Sequence, residues 1–192
     1  MTFEGVDGSG KTTQANLLVE ALRAEGRDVV ATREPGGTQL GEEVRALLLE
    51  GVEMSPWAET TLFAAARAEL ADRVIGPALA EGRDVVCDRY LDSSLAYQGA
   101  SISHDFINHA NRFARRPDLT LFLYVPASVA LDRVRSRGVK LERYETAQQL
   151  SLIEREYSRL VGTLASVVSI DGTRPIAEVA DLCYGALQQQ LG

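Results

Sequence analysis

Short apolar runs alternate with longer segments of helical spacing along the whole chain. The runs cover residues 28–32, 84–88, 119–125 and 167–170. Their apolar residues are consecutive rather than alternating, so these runs are predicted to be strands covered on both faces. Only residues 1–4 precede the first glycine-rich turn, and we expect a shortened first strand there, as would follow if native residues preceded Met1.

The segments between these runs have apolar residues three and four positions apart, which predicts helices. The predicted helices cover about 13–25, 39–50, 57–81, 92–99, 103–115, 126–137 and 147–164, with a last one starting at Pro175. Pro56 stands at the first position of the long helix, and Pro77 is expected to kink it. Strands alternating with helices predict an α/β fold with a doubly wound, five-stranded parallel sheet, in a single domain spanning 1–192.

The first turn has the pattern G-x-x-x-x-G-K-T of a phosphate-binding loop. It comprises Gly5, Val6, Asp7, Gly8, Ser9, Gly10, Lys11 and Thr12, followed by Thr13. In this pattern backbone N–H groups curl around phosphate oxygens, Lys11 adds a positive charge, and the Thr12 hydroxyl can bind Mg²⁺. The N-terminus of the next helix adds its partial positive charge. The loop therefore predicts binding of a nucleoside triphosphate and leaves the reaction open.

Charged side chains directly follow other predicted strands, at the edge where parallel sheets bind ligands. Asp88 closes a strand and is a candidate Mg²⁺ ligand together with Thr12. Arg33 and Arg89 follow strands as well, and each could bind a phosphate group through two hydrogen bonds. The alternatives are a helix-capping role for Asp88, a surface ion pair for Arg89 and a solvated turn for Arg33.

A basic segment in the last third of the chain is the candidate lid, at about 133–147. It contains Arg133, Arg135, Arg137, Lys140 and Arg143. Arginines on a mobile lid would neutralise the charge that develops during phosphoryl transfer and would exclude water. The alternative interpretation is a solvated helix face.

Phe63 and Arg67 lie four positions apart on the predicted long helix, hence on one face. An aromatic ring and a guanidinium placed in this way could stack on a base and hydrogen-bond its edge. The alternative is core packing for Phe63 and a surface ion pair for Arg67.

Composition limits the classes of function that remain. The chain has 192 residues and a net charge of -7, which argues against broad binding of nucleic acid. Cys87 and Cys183 show neither metal-ligand spacing nor a disulfide framework, which favours a cytoplasmic location. No apolar run approaches the roughly 20 residues that span a bilayer, so no membrane association is expected.

Several longer stretches resemble the thymidylate kinase family. They are FEGVDGSGKTT (3–13), TREPGGT (32–38), LFAAAR (62–67), DRYLDSSLAYQG (88–99), RPDLTLFL (116–123) and DGTRP (171–175). The resemblance implies the nucleoside monophosphate kinase fold with its P-loop, and phosphorylation of dTMP to dTDP with Mg²⁺ and ATP in dTTP biosynthesis. It also implies a homodimer formed through the helices around 40–80.

The resemblance implies a role for each matched residue. Phe63 would stack on thymine, while Arg67, Ser94 and Gln98 would lie at the base edge. The other implied positions are Asp7 at the sugar 3′-hydroxyl and near the metal, Tyr97 at the deoxyribose, Arg33 and Arg89 at the dTMP phosphate, Asp171, Gly172 and Thr173 beside adenine, and Ser93 among the substrate-binding residues. Lys11 and Arg89 would contact the moving phosphoryl group.

Ser9 stands where one branch of the family carries a catalytic arginine. The chain therefore resembles the other, bacterial-type branch, in which lid arginines take over, and Arg137 and Arg143 are the candidates. The lid has Leu141-Glu142-Arg143 where Leu-Asp-Arg is expected, and its spacing from Arg137 is longer than in some members. The choice between the two arginines stays open.

Other functions remain open at this point. A nucleoside kinase would accept an unphosphorylated sugar, and a kinase for GMP, AMP or CMP would have a different base pocket. A nucleotide sensor with a dead site would bind without turnover. A GTP-dependent switch would need an N-K-x-D motif, which the sequence lacks.

Overall fold

The computed structural model describes residues 1–49, 52–138, 144–164 and 166–191. Within these residues the elements are β1 (Thr2–Glu4), α1 (Lys11–Ala24), β2 (Val29–Arg33), α2 (Gln39–Leu49), α3 (Pro56–Leu70), α4 (Gly76–Ala80), β3 (Asp84–Asp88), α5 (Leu91–Gln98), α6 (His104–Ala110), β4 (Thr120–Tyr124), α7 (Ala127–Arg135), α8 (Ala147–Val161), β5 (Val167–Asp171) and α9 (Ile176–Leu191). The strands form one parallel sheet in the order β2-β3-β1-β4-β5. The predicted doubly wound α/β fold is confirmed.

Helices cover both faces of this sheet. Leu121 and Phe122 are neighbours in β4 and therefore point to opposite faces, yet both are buried. Leu121 belongs to the core beneath α1 and α9, and Phe122 to the core that includes α5, α7 and α8. This double cover explains why the apolar residues of the strand are consecutive. None of the described helices combines the length and the apolar character required to cross a membrane.

The two edge strands depart from the prediction of strands covered on both faces. Ala31 in β2 is exposed, and so are Val168 and Ser169 in β5. An edge strand has a neighbouring strand on one side only, so the flanking helices cover it less completely than the central strands. The prediction was wrong for these edges.

The long predicted helix 57–81 is divided by a π-helical turn, Ala71–Ile75, between α3 and α4. Pro77 lies just beyond this turn. Its ring would clash with the carbonyl of Arg73 four residues earlier, and the wider π turn relieves such a clash. The kink expected at Pro77 therefore takes the form of a local widening of the helix.

Helix α6 ends earlier than the predicted boundary at residue 115. Asn111 follows it, is 2% exposed, and bonds Arg67 through its side-chain oxygen at 2.7 Å. Its side-chain nitrogen donates to the carbonyl of Ile107 at 2.7 Å. Because Asn111 turns inward to make these bonds, the chain leaves the helix and continues in short turns.

The strand order creates the crevice where the site lies. From β1 the chain moves outward to β2, returns to β3 beside β1, and then crosses to β4 on the other side of β1. Ligands bind at such a reversal, beyond the carboxyl ends of the strands. The ends of β1 and β3 and the start of α1 therefore border one crevice.

Candidate active site

A cavity of about 480 Å³ lies at the carboxyl ends of β1, β2 and β3. The predicted residues that line it are Asp7, Gly8, Gly10, Lys11, Thr12, Thr13, Arg33, Phe63, Arg67, Asp88, Arg89, Ser93, Ser94, Tyr97, Gln98 and Arg137. Gly5, Val6, Ser9 and Asp171, Gly172 and Thr173 lie outside its lining. Arg143 lies outside the described residues. The groups predicted for a phosphate loop, an acceptor phosphate and a base thus share one space.

The phosphate loop, residues 5–12, depends on two glycines. Gly8 has a φ of +86°, and a Cβ there would lie 2.3 Å from the carbonyl oxygen of Ala130 in α7. Gly10 has a φ of +95° and immediately precedes the first residue of α1. Because glycine has no capping side chain, an anion can take the N–H groups of the first helical turn.

The Lys11 side chain is buried at this helix N-terminus. It is 5% exposed, and Nζ donates to the carbonyl of Val6 at 2.7 Å. Burial and the charge of Arg89 lower the pKa of Lys11 to about 8, although Asp7 and Asp88 act in the opposite direction. The negative charge of a bound phosphate would favour the protonated amine.

Asp88 and Thr12 pair beside the loop, where the Thr12 hydroxyl donates to Oδ2 of Asp88. The other oxygen, Oδ1, is buried and has no hydrogen-bond partner among the described residues. The same residues contain no group of three or more His, Cys, Asp or Glu side chains that could hold a metal by itself. Mg²⁺ is usually held by one or two carboxylates together with substrate phosphates and waters, so Thr12 and Asp88 fit this ion.

Arg89 adopts a left-handed backbone conformation with a φ of +69°, which costs a non-glycine residue about 1–2 kcal/mol. Its Nη1 donates to the carbonyl of Gly5 at 3.1 Å, and its Nη2 pairs with Oδ1 of Asp7. The guanidinium carbon lies 4.9 Å from the centroid of the Tyr97 ring. Burial alone would lower the pKa of Arg89, but Asp7 and Tyr97 raise it above its ordinary value. The charged guanidinium is therefore held against the phosphate loop by Gly5 and Asp7.

Asp7 connects the phosphate loop to α5. Its Oδ2 accepts a hydrogen bond from the Tyr97 hydroxyl at 2.8 Å. Burial alone would raise the pKa of Asp7, but the charges of Arg89 and Lys11 and the Tyr97 hydrogen bond lower it to about 2. At neutral pH the Asp7 side chain is ionised, so it can orient Arg89 or accept a hydrogen bond from a ligand hydroxyl.

Arg33, at the end of β2, is exposed and engaged by Glu42 of α2. Its Nη2 lies 3.0 Å from each carboxylate oxygen of Glu42, and Oε1 also accepts from the N–H of Gly37 at 3.0 Å. Exposed ion pairs are weak, so a phosphate can compete with Glu42 for this guanidinium. Arg45, which was not predicted, lines the same cavity and donates to the carbonyl of Pro35 at 3.2 Å.

Arg67 is buried, so the alternative of a surface ion pair is wrong. Its Nε donates to Glu34 at 2.7 Å, its Nη1 to Asn111 at 2.7 Å and its Nη2 to Ser94 at 3.0 Å. The guanidinium carries five N–H groups, and the described contacts use only one of the two on Nη1. Arg67 also lines the cavity, so it is a candidate donor to a ligand.

Glu34 is the carboxylate that pairs with Arg67. Burial raises the pKa of Glu34 to about 7, although the Arg67 charge and hydrogen bond lower it. Its Oε1 has no hydrogen-bond partner within the described parts of the chain. The carboxylate is therefore held in place by Arg67, which it orients in return.

Phe63 and Gln98 both line the cavity. Phe63 is partly buried and stands one helical turn before Arg67. The Gln98 amide donates to Oε1 of Glu59 at 3.1 Å, and the Tyr144 hydroxyl donates to the same oxygen. An aromatic face, an amide and the Arg67 guanidinium together form an environment suited to a planar base.

The candidate lid arginines occupy different positions. Arg133 and Arg135 belong to α7, and Arg133 donates to the carbonyl of Gly172 at 2.9 Å. Arg137 lines the cavity, is 50% exposed, and pairs with Glu145 at 3.2 Å. Arg143 and Lys140 lie outside the described residues.

The turn after β5 packs against the phosphate loop. Oδ1 of Asp171 accepts from the Thr173 N–H at 3.0 Å and from its hydroxyl at 2.6 Å. A Cβ on Gly172 would lie 3.2 Å from the carbonyl oxygen of Ser9. Hydrogen bonds therefore close the turn, which adjoins the loop from outside the cavity.

Sequence reasoning missed the polar residues that hold the site residues in place. They are Glu4, Glu34, Arg45, Glu59, Asn111 and Tyr157. Glu4 and Glu34 adjoin the phosphate loop and Arg33 in the sequence, which was the only available signal. Burial is what distinguishes these two carboxylates from ordinary surface residues, and burial depends on the tertiary structure.

Similarity to known proteins extends over most of the chain. The family model for thymidylate kinase matches residues 3–182. The chain is 43% identical over 200 aligned positions to the thymidylate kinase of Synechococcus sp. (strain JA-2-3B'a(2-13)), an alignment that covers 100% of this chain and 95% of that protein. It is 45% identical over 182 positions to the thymidylate kinase of Gluconobacter oxydans (strain 621H), with 91% and 83% covered.

A further relative is the probable thymidylate kinase of Pyrococcus abyssi (strain GE5 / Orsay), 42% identical over 185 positions, with 88% of this chain and 90% of that protein covered. The family match extends over every residue that lines the cavity. The chain therefore belongs to the thymidylate kinase family.

Proposed function

We propose that the enzyme transfers the γ-phosphoryl group of ATP in line to the phosphate of dTMP, with both nucleotides held in the one cavity. As a thymidylate kinase it phosphorylates dTMP to dTDP in dTTP synthesis, with ATP as co-substrate. The observation that carries the mechanism is the convergence of Lys11, Arg89 and Arg67 on one cavity of about 480 Å³. Such proximity and orientation lower the barrier to a reaction between two bound molecules.

On the acceptor side, the proposal assigns the base to the end of the cavity lined by Phe63 and Arg67. The phenyl ring would stack on thymine, and Arg67, Ser94 and Gln98 would face its edge. Asp7 would accept a hydrogen bond from the sugar 3′-hydroxyl, and Tyr97 would lie against the deoxyribose. Arg33 and Arg89 would bind the acceptor phosphate, and Ser93 would contribute to substrate binding by holding Arg89.

On the donor side, the phosphate loop would bind the ATP phosphates through its backbone N–H groups, with Thr13 beside Thr12 at the start of α1. The positions concerned are Gly5, Val6, Asp7, Gly8, Ser9, Gly10, Lys11, Thr12 and Thr13. Asp171, Gly172 and Thr173 would border adenine, since this hydrogen-bonded turn adjoins the phosphate loop from outside the cavity.

The proposed Mg²⁺ ligands are Thr12 and Asp88. The buried, unpaired Oδ1 of Asp88 supports this assignment. When bound, the ion would neutralise charge on the phosphates.

No strong base is needed, because the acceptor phosphate is already a nucleophile. Lys11 and Arg89 would neutralise the charge on the moving group, and Asp7 would keep Arg89 aligned. The lowered pKa of Asp7 supports an orienting role rather than proton transfer.

We further propose that the segment at about 133–147 acts as a lid on a single kinase domain of residues 1–192, as in the bacterial-type branch. Arg137 and Arg143 are the candidates for contacting the transferred phosphoryl group. Arg137→Ala and Arg143→Ala variants should identify the catalytic one, since loss of such an arginine costs about 10³–10⁵ in rate. Near-normal kcat in both variants would contradict a catalytic lid arginine.

A coupled assay of ADP release with ATP and Mg²⁺ tests the acceptor site. The acceptors are dTMP, dUMP, GMP, AMP, CMP and thymidine. We expect a strong preference for dTMP, weaker use of dUMP and no turnover of thymidine, since thymidine offers no phosphate to Arg33 and Arg89. Comparable turnover of thymidine or of a purine nucleotide would overturn the residue assignments.

We also propose a homodimer formed through α2, α3 and the segment after α6. Leu47, Trp57 and Phe113 expose 45%, 56% and 45% of their surface, and α2 packs on α3. The Trp57 ring packs edge-on against Phe106 of α6 at 4.9 Å, so these apolar groups belong to adjoining elements. Exposed large apolar side chains are typical of an interface.

Analytical ultracentrifugation tests the proposed dimer. The parent chain should sediment with twice the monomer mass, and Trp57→Glu should give monomers. A monomeric parent chain would contradict the proposal.

The proposed location is the cytoplasm. Cys87 and Cys183 are buried free cysteines, which suits a reducing compartment. Fractionation of cells that express the tagged chain would test this.

A further inference from the structure

Glu4, the last residue of β1, lies directly behind the catalytic edge of the sheet. It is 1% exposed, and its carboxylate accepts four hydrogen bonds. Oε1 accepts from the N–H groups of Tyr90 and Ser93 at 2.8 and 3.3 Å. Oε2 accepts from the hydroxyls of Ser93 and Tyr157 at 2.6 and 2.8 Å. Two of the three partner residues belong to the segment that follows Arg89.

The first link from Glu4 to Arg89 runs through the backbone. Arg89 has the left-handed φ of +69°, and its own N–H donates to the carbonyl of Phe3 at 2.9 Å. The next N–H, that of Tyr90, is bonded to Glu4. The β1 strand therefore binds the N–H groups of both Arg89 and Tyr90. These bonds hold the left-handed conformation of Arg89, and this conformation directs its side chain into the cavity.

The second link runs through the Ser93 hydroxyl. The Ser93 hydroxyl donates a hydrogen bond to Glu4. A lone pair on Oγ is therefore available to accept from Nη1 of Arg89 at 3.2 Å. When Glu4 is ionised it can only accept, and it thereby sets the direction of the hydrogen bonds as far as the guanidinium. Tyr157 contributes a second donor to the same oxygen and lies 2.9 Å from Ser93 Oγ.

We propose that Glu4 is a positioning residue for phosphoryl transfer: through Tyr90 and Ser93 it holds the backbone and the guanidinium of Arg89 in the orientation that transfer requires. The inference rests on the proposed role of Arg89 at the moving phosphoryl group. Glu4 itself does not line the cavity, so it acts only through other residues.

Glu4→Gln is the informative substitution because it keeps the shape and changes the direction of the bonds. With its oxygen on the two backbone N–H groups, the amide nitrogen faces the hydroxyls of Ser93 and Tyr157. This nitrogen can only donate, so the Ser93 hydroxyl must accept from it and point its own proton elsewhere, for example at the Tyr157 oxygen 2.9 Å away. The Ser93 oxygen would then divide its two lone pairs between the amide and Arg89 and would lose the carboxylate that orients it. The bond from the guanidinium would be weakened while the start of α5 stays tethered.

The first measurement is steady-state kinetics of Glu4→Gln, with Glu34→Gln as the matched control. Both carboxylates are buried at the same sheet edge, but Glu34 contacts Arg67 instead of Arg89. We expect Glu4→Gln to lower kcat by about 10–100-fold with little change in the KM for ATP, as a small misalignment does. Glu34→Gln should mainly raise the KM for dTMP. Unchanged kcat in a folded Glu4→Gln protein would overturn the inference.

The second measurement asks whether Glu4 acts through Arg89. Single-turnover rates are measured with radiolabelled ATP for Glu4→Gln, Arg89→Ala and the double variant. If Glu4 only positions Arg89, the effect of Glu4→Gln should disappear once Arg89 is alanine. A full, multiplicative loss in the double variant would show an independent structural effect and would overturn the inference.

The two proposals fail in different ways. Near-normal turnover of Arg89→Ala would overturn the role of Arg89 and, with it, that of Glu4. Impaired Arg89→Ala together with unimpaired Glu4→Gln would overturn the role of Glu4 alone. If Glu4→Gln does not fold, Ser93→Ala takes its place in the test. Ser93→Ala should lower kcat by a similar factor, and this effect should be absent in the Arg89→Ala background. An unchanged kcat in Ser93→Ala would overturn the hydroxyl link.

Discussion

Single residues of this enzyme form two kinds of ion pair with very different exposure. Arg67 and Glu34 expose 1% and 4% of their side chains, whereas Arg33 and Glu42 expose 55% and 46%. Removing one partner of a buried pair leaves an uncompensated charge in the interior, while an exposed charge is solvated by water. Loss of one partner should therefore be costly in the buried pair and cost little in the exposed pair.

The first prediction compares these two arginines. Arg67→Met should lower the free energy of unfolding by about 3–5 kcal/mol, because Glu34 would stay buried without its partner. Arg33→Met should change it by less than about 1 kcal/mol. Urea denaturation of both variants measures the difference.

The double variant Arg67→Met/Glu34→Gln provides the control for this comparison. It removes the stranded charge as well, so part of the lost stability should return. Equal destabilisation by Arg67→Met and Arg33→Met would show that burial of the pair does not govern its energetic role.

The second prediction concerns the pH dependence of stability. Burial and the charge of Asp92 raise the pKa of Glu4 from 4.5 to about 7, although the hydrogen bonds from Ser93 and Tyr157 lower it. Between these values the folded state binds more protons than the unfolded state, so this group makes the free energy of unfolding fall as pH rises. Glu4→Gln removes that contribution.

Urea denaturation of the parent and of Glu4→Gln, from about pH 5 to pH 8, tests this effect. The decline with rising pH should be smaller in the variant, by at most about 1.4 kcal/mol for each unit of pKa shift. Parallel declines in the two proteins would mean that Glu4 does not titrate in this range.

At the scale of elements, the phosphate loop and α7 constrain each other. The backbone of Gly8 approaches Ala130 so closely that no side chain fits between them. The loop conformation is therefore supported by a helix more than a hundred positions away in the chain, as well as by its own glycines.

The third prediction follows from this contact. Gly8→Ala would place Cβ 2.3 Å from the Ala130 carbonyl oxygen, so the loop must shift away from its anion-binding conformation. We expect ATP affinity to fall about tenfold or more, since small displacements of a binding loop have effects of this size. Calorimetric titration with ATP measures it.

Gly26→Ala is the matched control for Gly8→Ala. Gly26 has a similar φ of +83°, but nothing lies within 4 Å of its added Cβ. This variant should lose about 1–2 kcal/mol of stability from the left-handed backbone and bind ATP normally. Equal losses of ATP affinity in the two variants would indicate that strain in the backbone, rather than the approach to α7, is responsible.

At the scale of the whole molecule, the strand order brings the proposed acceptor and donor sites together. β2, β3 and β1 lie side by side. Arg33, Asp88 and the phosphate loop therefore stand at the carboxyl ends of three neighbouring strands. A ligand bound there contacts segments that separate on unfolding. Binding should therefore stabilise the entire fold by mass action.

The fourth prediction uses this linkage to test the acceptor phosphate site. dTMP at a hundred times its Kd should add about 2.7 kcal/mol to the free energy of unfolding, which corresponds to a rise in Tm of about 5–10 °C. Thymidine at the same concentration should give a much smaller rise, because it lacks the phosphate for Arg33 and Arg89. Equal shifts in a thermal-denaturation experiment would contradict the role of these arginines.

The sequence alone determined the features that depend on neighbouring residues. The phosphate loop could be identified because its glycines, Lys11 and Thr12 have a fixed spacing along the chain. The central strands could be predicted because burial on both faces requires consecutive apolar residues. The fold class followed from the alternation of strands and helices.

Only the tertiary structure decided which side chains are buried and what they contact. Glu4 reaches Ser93 and Tyr157, and Arg67 reaches Glu34 and Asn111, across separations that no local pattern reports. The exposed edges of the sheet and the early end of α6 also arise from packing. Local spacing sets which chemical groups reach the edge of the sheet, whereas the strand order and the helix packing set their charge state and their direction.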